Sequence, residues 1–149
     1  MIDDIESALK TSALFKGMSH EQIRQVVTQL EPKTIDLKNG EYLYRSGAPA
    51  DCCWEVLSGR FRARRSDLRQ PFKPVDYHVG AVTGLLGIVE PGAHRPVSLI
   101  ADGPVELIEI RSDNFAQLET STRMIIWENI SHILIRKLFY CRELSSLGE

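Results

Sequence analysis

At 149 residues, 43% apolar and 26% charged, the chain has the size and composition of one globular domain with its own core, and no room for a second full one. A formal charge of −2 excludes a global pull toward nucleic acid or an anionic membrane surface, and no apolar run approaches the roughly 20 residues of a membrane span. The opening "MIDDIESALK" is acidic and amphipathic where a secretory leader would be basic and then apolar. Cys52, Cys53 and Cys141 are odd in number, two of them are adjacent, and they form no metal-ligand spacing. Buried, reduced thiols and a cytoplasmic location are the expectation.

In chain order, residues 1–32 read as helices. Ile5 and Leu9 share a face, and Leu14, Phe15 and Met18 surround Gly17 at a joint. Ser19 followed by Gln22 makes a capping box for a helix in which Ile23, Val26, Val27 and Leu30 recur at helical spacing, and Pro32 ends it. Residues 33–111 switch to short strand patterns: "TIDL", "EYLYR", "CCWEVL", "RFRARR" and "VELIEI". Asn39-Gly40, Ser46-Gly47, Ser58-Gly59 and Asp102-Gly103 punctuate them, each able to supply the positive φ of a tight turn. "SDLRQPFKP" reads as a loop. Ser112 is a candidate helix cap at the start of a C-terminal helical segment, 112–149, whose main helix runs from about Met124 to Leu147. The predicted class is α+β: an antiparallel, jelly-roll-like β-roll between N-terminal helices and a long C-terminal helix.

Four stretches in this order carry a family resemblance: "LFKGMS" at 14–19, "LKNGEYLYRSGAPAD" at 37–51, "VLSGRFRARR" at 56–65 and "VELIEIRSDNFAQL" at 105–118. With them the chain resembles, over nearly its whole length, the cyclic-nucleotide-binding domain of catabolite-activator-like (Crp/Fnr-type) regulators, kinase regulatory subunits and nucleotide-gated channels. The resemblance implies a phosphate-binding cassette that usually reads Phe-Gly-Glu-Leu-Ala, a short loop, then Arg-Ser/Ala-Ala. The matching residues are Thr83-Gly84-Leu85-Leu86-Gly87 and Arg95-Pro96-Val97, so Gly84, Leu85, Leu86, Arg95, Pro96 and Val97 are the candidate ligand-binding residues. Backbone N–H groups after Gly84 and the Arg95 cation could still hold a phosphate. Leu85 stands where the family places the glutamate that accepts from the ribose 2′-hydroxyl, and leucine accepts nothing. Pro96 lacks the backbone N–H that a small residue would turn to the phosphate. The expected outcome is a cradle with no cofactor, the alternative being cAMP or another small anion. Glu90, in the loop, is a candidate substitute acceptor, and pairing with an acidic side chain is a second reading of Arg95.

Catalysis is not expected. His20, His78, His94 and His132 are scattered, no GxSxG elbow occurs, and "GAVTGLLG" is not a dinucleotide fingerprint. Arg60, Arg62 and Arg64 alternate with Phe61 and Ala63, which puts the arginines on one outward strand face with no stacking aromatics between them.

The last helix is apolar on more than one face. Resemblance to the family implies that it pairs with its twofold mate in a homodimer through Trp127, Ile130, Leu134, Leu138 and Cys141. No helix-turn-helix follows within these residues, so direct DNA binding by them is not expected. Two functions stay open: an assembly or interaction module with a protein partner, and the effector-binding sensory domain of a Crp-like transcriptional regulator.

Overall fold

The computed structural model describes residues 2–65, 69 and 71–147, and side chains only within 4–139. Helices α1 (Ile2–Lys10) and α2 (His20–Leu30) precede strands β1 (Lys33–Leu37), β2 (Tyr42–Tyr44), β3 (Cys52–Arg65), β4 (Lys73–Val75) and β5 (Val82–Thr83). A one-turn helix α3 (Leu86–Val89), strand β6 (Val97–Arg111), a 3₁₀ turn at Phe115–Gln117 and helix α4 (Thr120–Leu147) complete the chain.

The six strands form one antiparallel sheet in the order β1-β6-β3-β4, with β2 also paired to β6 and β5 to β3. Its spine is the β3–β6 ladder, from Cys52 opposite Arg111 to Arg65 opposite Val97. The α+β roll flanked by helices is therefore as expected, but two of its strands, β3 and β6, are much longer than the sequence pattern suggests. "CCWEVL" and "RFRARR" are one strand, and Asp102-Gly103 lies inside β6. Ser58-Gly59 and Asp102-Gly103 are not hairpin turns. The β3–β6 register slips between Val56 and Arg60, so Gly59 faces Gly103, Pro104 and Val105, and both glycines take positive φ at a bulge that bends the paired strands together. "SDLRQPFKP" is partly strand: Lys73 and Pro74 belong to β4, while Ser66, Asp67, Leu68 and Gln70 lie outside the described residues.

Two apolar layers follow from the alternation along β3 and β6. Cys52, Trp54 and Val56 point into the roll with Phe61, Leu99, Val105 and Leu107. Cys53 points the other way, with Ile108 and Ile110, against Leu9, Phe15, Ile23 and Val26 of the helical layer. β3 is thus buried on both faces over Cys52–Val56. Burial also pushes the thiols up, Cys52 to about 12, so both are held as protonated core side chains.

Ser19 caps α2 through the expected capping box: its hydroxyl accepts from the Gln22 N–H at 3.1 Å, and the Gln22 side chain accepts from the Ser19 N–H at 2.9 Å. Ser112 is not a helix cap. Its hydroxyl donates to the Asp51 carbonyl at 3.0 Å, its own carbonyl opens the 3₁₀ turn, and α4 starts only at Thr120. The first turns of α4 seal the core with Ile126 and Ile130. The Asn129 amide donates to the carbonyls of Leu14 and Lys16 at 2.8 and 2.9 Å, tying α4 to the joint between α1 and α2. Beyond these contacts Met124, Trp127, Leu134, Ile135, Leu138 and Phe139 are exposed. Among the described residues no helix is long and apolar enough to cross a membrane.

Candidate functional site

The site is built where β5 ends. Thr83 is fixed by a 2.9 Å hydrogen bond between its hydroxyl and that of Tyr77, and the chain then turns at Gly84 with φ +77°. A Cβ at 84 would lie 2.7 Å from the Trp54 ring and 3.1 Å from Arg95 Nη1, so glycine is the residue that fits both the φ and the space. Leu85 follows and is only 5% exposed, packed among the core side chains of the helical layer. Gly87 of α3 rests directly on β3, where a side chain would overlap the Cys52 backbone.

The loop after α3 is laced to the segment between β2 and β3 by backbone bonds in both directions. The N–H groups of Ala50, Arg95 and Gly47 donate to the carbonyls of Ala93, Ala48 and Arg95 at 2.8 Å, and Gly92 donates to Ala50 at 2.7 Å. A 2.8 Å contact between His94 Nδ1 and the Gly47 carbonyl adds to the lacing.

Arg95 is therefore held at its backbone, and its side chain is 4% exposed. Nη1 donates to the Gly84 carbonyl at 3.0 Å and Nη2 to the Cys52 carbonyl at 2.7 Å. The guanidinium lies 4.5 Å over the Tyr44 ring and 5.2 Å over that of Trp54, two rings that stack on each other at 5.6 Å. Among the described residues no carboxylate forms an ion pair with it. The reading of Arg95 as the partner of an acidic side chain is thus replaced by backbone carbonyls and aromatic faces. A buried cation compensated only by dipoles remains attractive to an anion.

Gly84, Leu85, Leu86, Arg95, Pro96 and Val97 all line one cavity of about 360 Å³. Tyr44 and Val89 complete its walls, and Leu134 and Lys137 of α4 close one side. Tyr44, Val89 and Lys137 were not expected from the sequence, and Leu134 was expected only at a dimer seam. The Tyr44–Trp54 pair had a signal, aromatics at inward positions of two strands, but their meeting depends on how the roll closes. Glu90 is exposed and takes no part in the lining.

The remaining candidates are dispersed. Ile130 is 2% exposed and turned into the core, away from the exposed face of α4 that carries Trp127, Leu134 and Leu138. The side chain of Cys141 lies outside the described residues. On the basic strand Arg62 pairs with Asp102 at 3.8 Å and Arg64 lies 4.3 Å over Phe72, so both have intramolecular work. No group of histidine, cysteine and acidic side chains suited to a metal occurs among the described residues.

A family model described as the cyclic nucleotide-binding domain matches residues 34–121. No curated protein matches the chain closely enough to count as a relative. Among solved structures, a cyclic nucleotide-binding domain from Methylobacillus flagellatus superposes with a TM-score of 0.77 at 18% identity, covering 97% of this chain and 83% of that one. The catabolite activator protein of Thermus thermophilus gives 0.72 at 21% identity, over 92% of this chain and 63% of that one. The regulatory domain of Toxoplasma gondii PKA, crystallised with cAMP, gives 0.68 at 24% identity, over 87% of this chain and 49% of that one. At such identities the likeness is one of fold, and the chain spans only about half the length of the Toxoplasma structure.

Proposed function

The chain belongs to the cyclic nucleotide-binding domain family, and from that premise we propose that it is a non-catalytic regulatory module whose cradle does not take a cyclic nucleotide in the usual way and which dimerises through α4. The observation that carries the reading is Leu85, a hydrocarbon side chain packed in the core where the family's sugar acceptor is expected. A 2′-hydroxyl buried beside it forfeits its hydrogen bond at roughly 1–3 kcal/mol, ten-fold to more than a hundred-fold in affinity. Pro96 has no N–H to offer, and the Arg95 N–H is already given to Ala48. Calorimetric titration with cAMP and cGMP is expected to give no saturable binding below millimolar concentration. A stoichiometric micromolar complex would overturn the reading.

A second reading, the sensory domain of a Crp-like transcriptional regulator that takes cAMP or another small anion, is favoured by one observation. The cavity is open, and Leu134 of α4 forms part of its wall. A ligand there would touch the helix proposed to form the dimer.

Support for a dimer lies in the spacing of the exposed α4 residues. Met124, Trp127, Ser131, Leu134 and Leu138 alternate by three and four along the helix, as a two-helix seam requires, with Ser131 where Ile130 was anticipated. Trp127 also packs edge-on against Phe115 at 5.7 Å, which orients it at the start of the seam. Light scattering on a size-exclusion column is expected to return twice the chain mass, and Leu134→Asp with Leu138→Asp to return a folded monomer. A wild-type monomer at high micromolar concentration would remove dimerisation from the proposal.

A further inference from the structure

Three features of the cavity narrow the chemistry of what it could hold. Its lining side chains are carbon except for Tyr44, Arg95 and Lys137, so it offers no carboxylate or amide to accept from a polyol. Its size falls at the small end of the range for ligand pockets. Arg95 brings a buried positive charge with two N–H groups committed to carbonyls and no ion pair to a carboxylate among the described residues.

We propose that this cavity binds a small apolar carboxylate, an aryl or short-chain alkyl acid whose charge meets the Arg95 guanidinium and whose carbon body lies against Leu85, Leu86, Val89, Pro96 and Leu134. The proposal rests on the reading above that the cradle has lost its sugar contacts. A planar monoanion matches the remaining guanidinium N–H groups, since two parallel N–H···O bonds are the favoured geometry of that pair. A phosphate loses two donors at the Arg95 end of the site, because the backbone N–H of residue 95 is bonded to Ala48 and residue 96 is proline, whereas a carboxylate can be met by the guanidinium alone. Apolar walls desolvate the pair and strengthen it, which a hydrophilic acid could not exploit. Because Leu134 and Lys137 belong to α4, the body of the ligand would rest on the same helix as the proposed dimer seam.

The test is calorimetric titration of the whole chain with benzoate, 4-phenylbutyrate and octanoate, each beside its primary amide, with inorganic phosphate and cAMP as comparisons. At least one acid is expected to bind once per chain, at least about ten-fold tighter than its amide, and to raise the melting temperature. Val89→Trp, a change at an exposed wall residue, is expected to fold as the parent does and to abolish binding by filling the cavity. Arg95→Gln should remove the preference for acid over amide; since Arg95 also braces the loop, the amide series and Val89→Trp decide the matter if that variant does not fold. Equal binding of acid and amide, phosphate binding as tightly as the acids, or no acid bound at ten millimolar would each overturn the proposal. Absence of both acid and cAMP binding leaves the functional reading standing and removes only this inference; tight cAMP binding removes both.

Discussion

Replacing Glu55 with glutamine is expected to stabilise the chain above pH 7 and to flatten the pH dependence of its unfolding. Glu55 lies on β3 between Val82 of β5 and Ile108 of β6, on the side of the sheet covered by the N-terminal helices. Its exposure is 0%, and among the described residues neither carboxylate oxygen has a hydrogen-bond partner. Burial raises its pKa from 4.5 to about 7, an effect the nearby Ser12 hydroxyl offsets only in part. The folded state therefore holds a proton that the unfolded chain releases in mildly acidic solution. The stability this contributes is complete below pH 4.5, declines as pH rises, and is gone above about 7. At about 1.4 kcal/mol per pKa unit, the loss is on the order of 3 kcal/mol, a large part of the stability of a domain this size.

Glutamine keeps the shape and cannot ionise. Urea unfolding of both proteins from pH 5 to 8.5 should show similar midpoints at the acid end and a widening advantage for Glu55→Gln toward the alkaline end. Parallel curves would mean that the carboxyl is hydrated or paired in solution. The region most exposed to ionisation is the joint at Ser12–Leu14, where the Ser12 hydroxyl accepts from the Leu14 N–H at 3.1 Å and Ala13 donates to the Gly80 carbonyl at 2.9 Å. Asn129 clasps the same joint from α4, so alkaline loosening there should be felt at the long helix.

Glu55 also marks where sequence patterning stopped being informative. In "CCWEVL" a lone acid within an alternating strand looks like a solvent-facing position, because period two assumes that one face is wet. β3 is the centre of a roll with helices behind it, and neither face is wet from Cys52 to Val56. The same closure hid the continuity of β3 and β6. Ser58-Gly59 and Asp102-Gly103 have turn chemistry, and only the ladder between the two strands turns that chemistry into a bulge. Local signals survived well: the Ser19–Gln22 capping box is formed as the residues suggest. The cassette segments were legible through the family resemblance, whose matching residues lie next to one another in the sequence. Tyr44, Leu134 and Lys137 reach the cavity from β2 and α4, and no local pattern records that meeting. Ile130 shows the limit on a helix, where a wide apolar surface does not tell which stripe faces the core and which remains exposed.

Combining Leu85→Glu with Pro96→Ser is expected to create cAMP affinity at least about ten-fold, and up to a hundred-fold, above that of the parent, the range of one restored hydrogen bond to a buried hydroxyl. The variant should at the same time be less stable than the parent without ligand. Leu85 contributes to the core layer formed with Ile88, Ile108 and Ile126, and a carboxylate there loses that packing and lacks a donor until a ribose arrives. Stability and binding should therefore move in opposite directions: a lower melting temperature alone, and a cAMP-dependent rise absent from the parent. The rise should shrink for 2′-deoxy-cAMP, since the hydroxyl is what the new carboxylate accepts from. Serine at 96 adds an N–H and a hydroxyl toward the phosphate without disturbing the carbonyl bonds of Arg95 to Gly84 and Cys52. A destabilised variant with no cAMP response would mean that the sugar contacts are not the missing element. The obstacle would then be the commitment of Arg95 Nη1 and Nη2 to the carbonyls of Gly84 and Cys52, which leaves the guanidinium fewer N–H groups for a three-oxygen phosphate. Equal responses to cAMP and its 2′-deoxy form would place the gain at serine 96 instead, and the single variants would separate the two contributions.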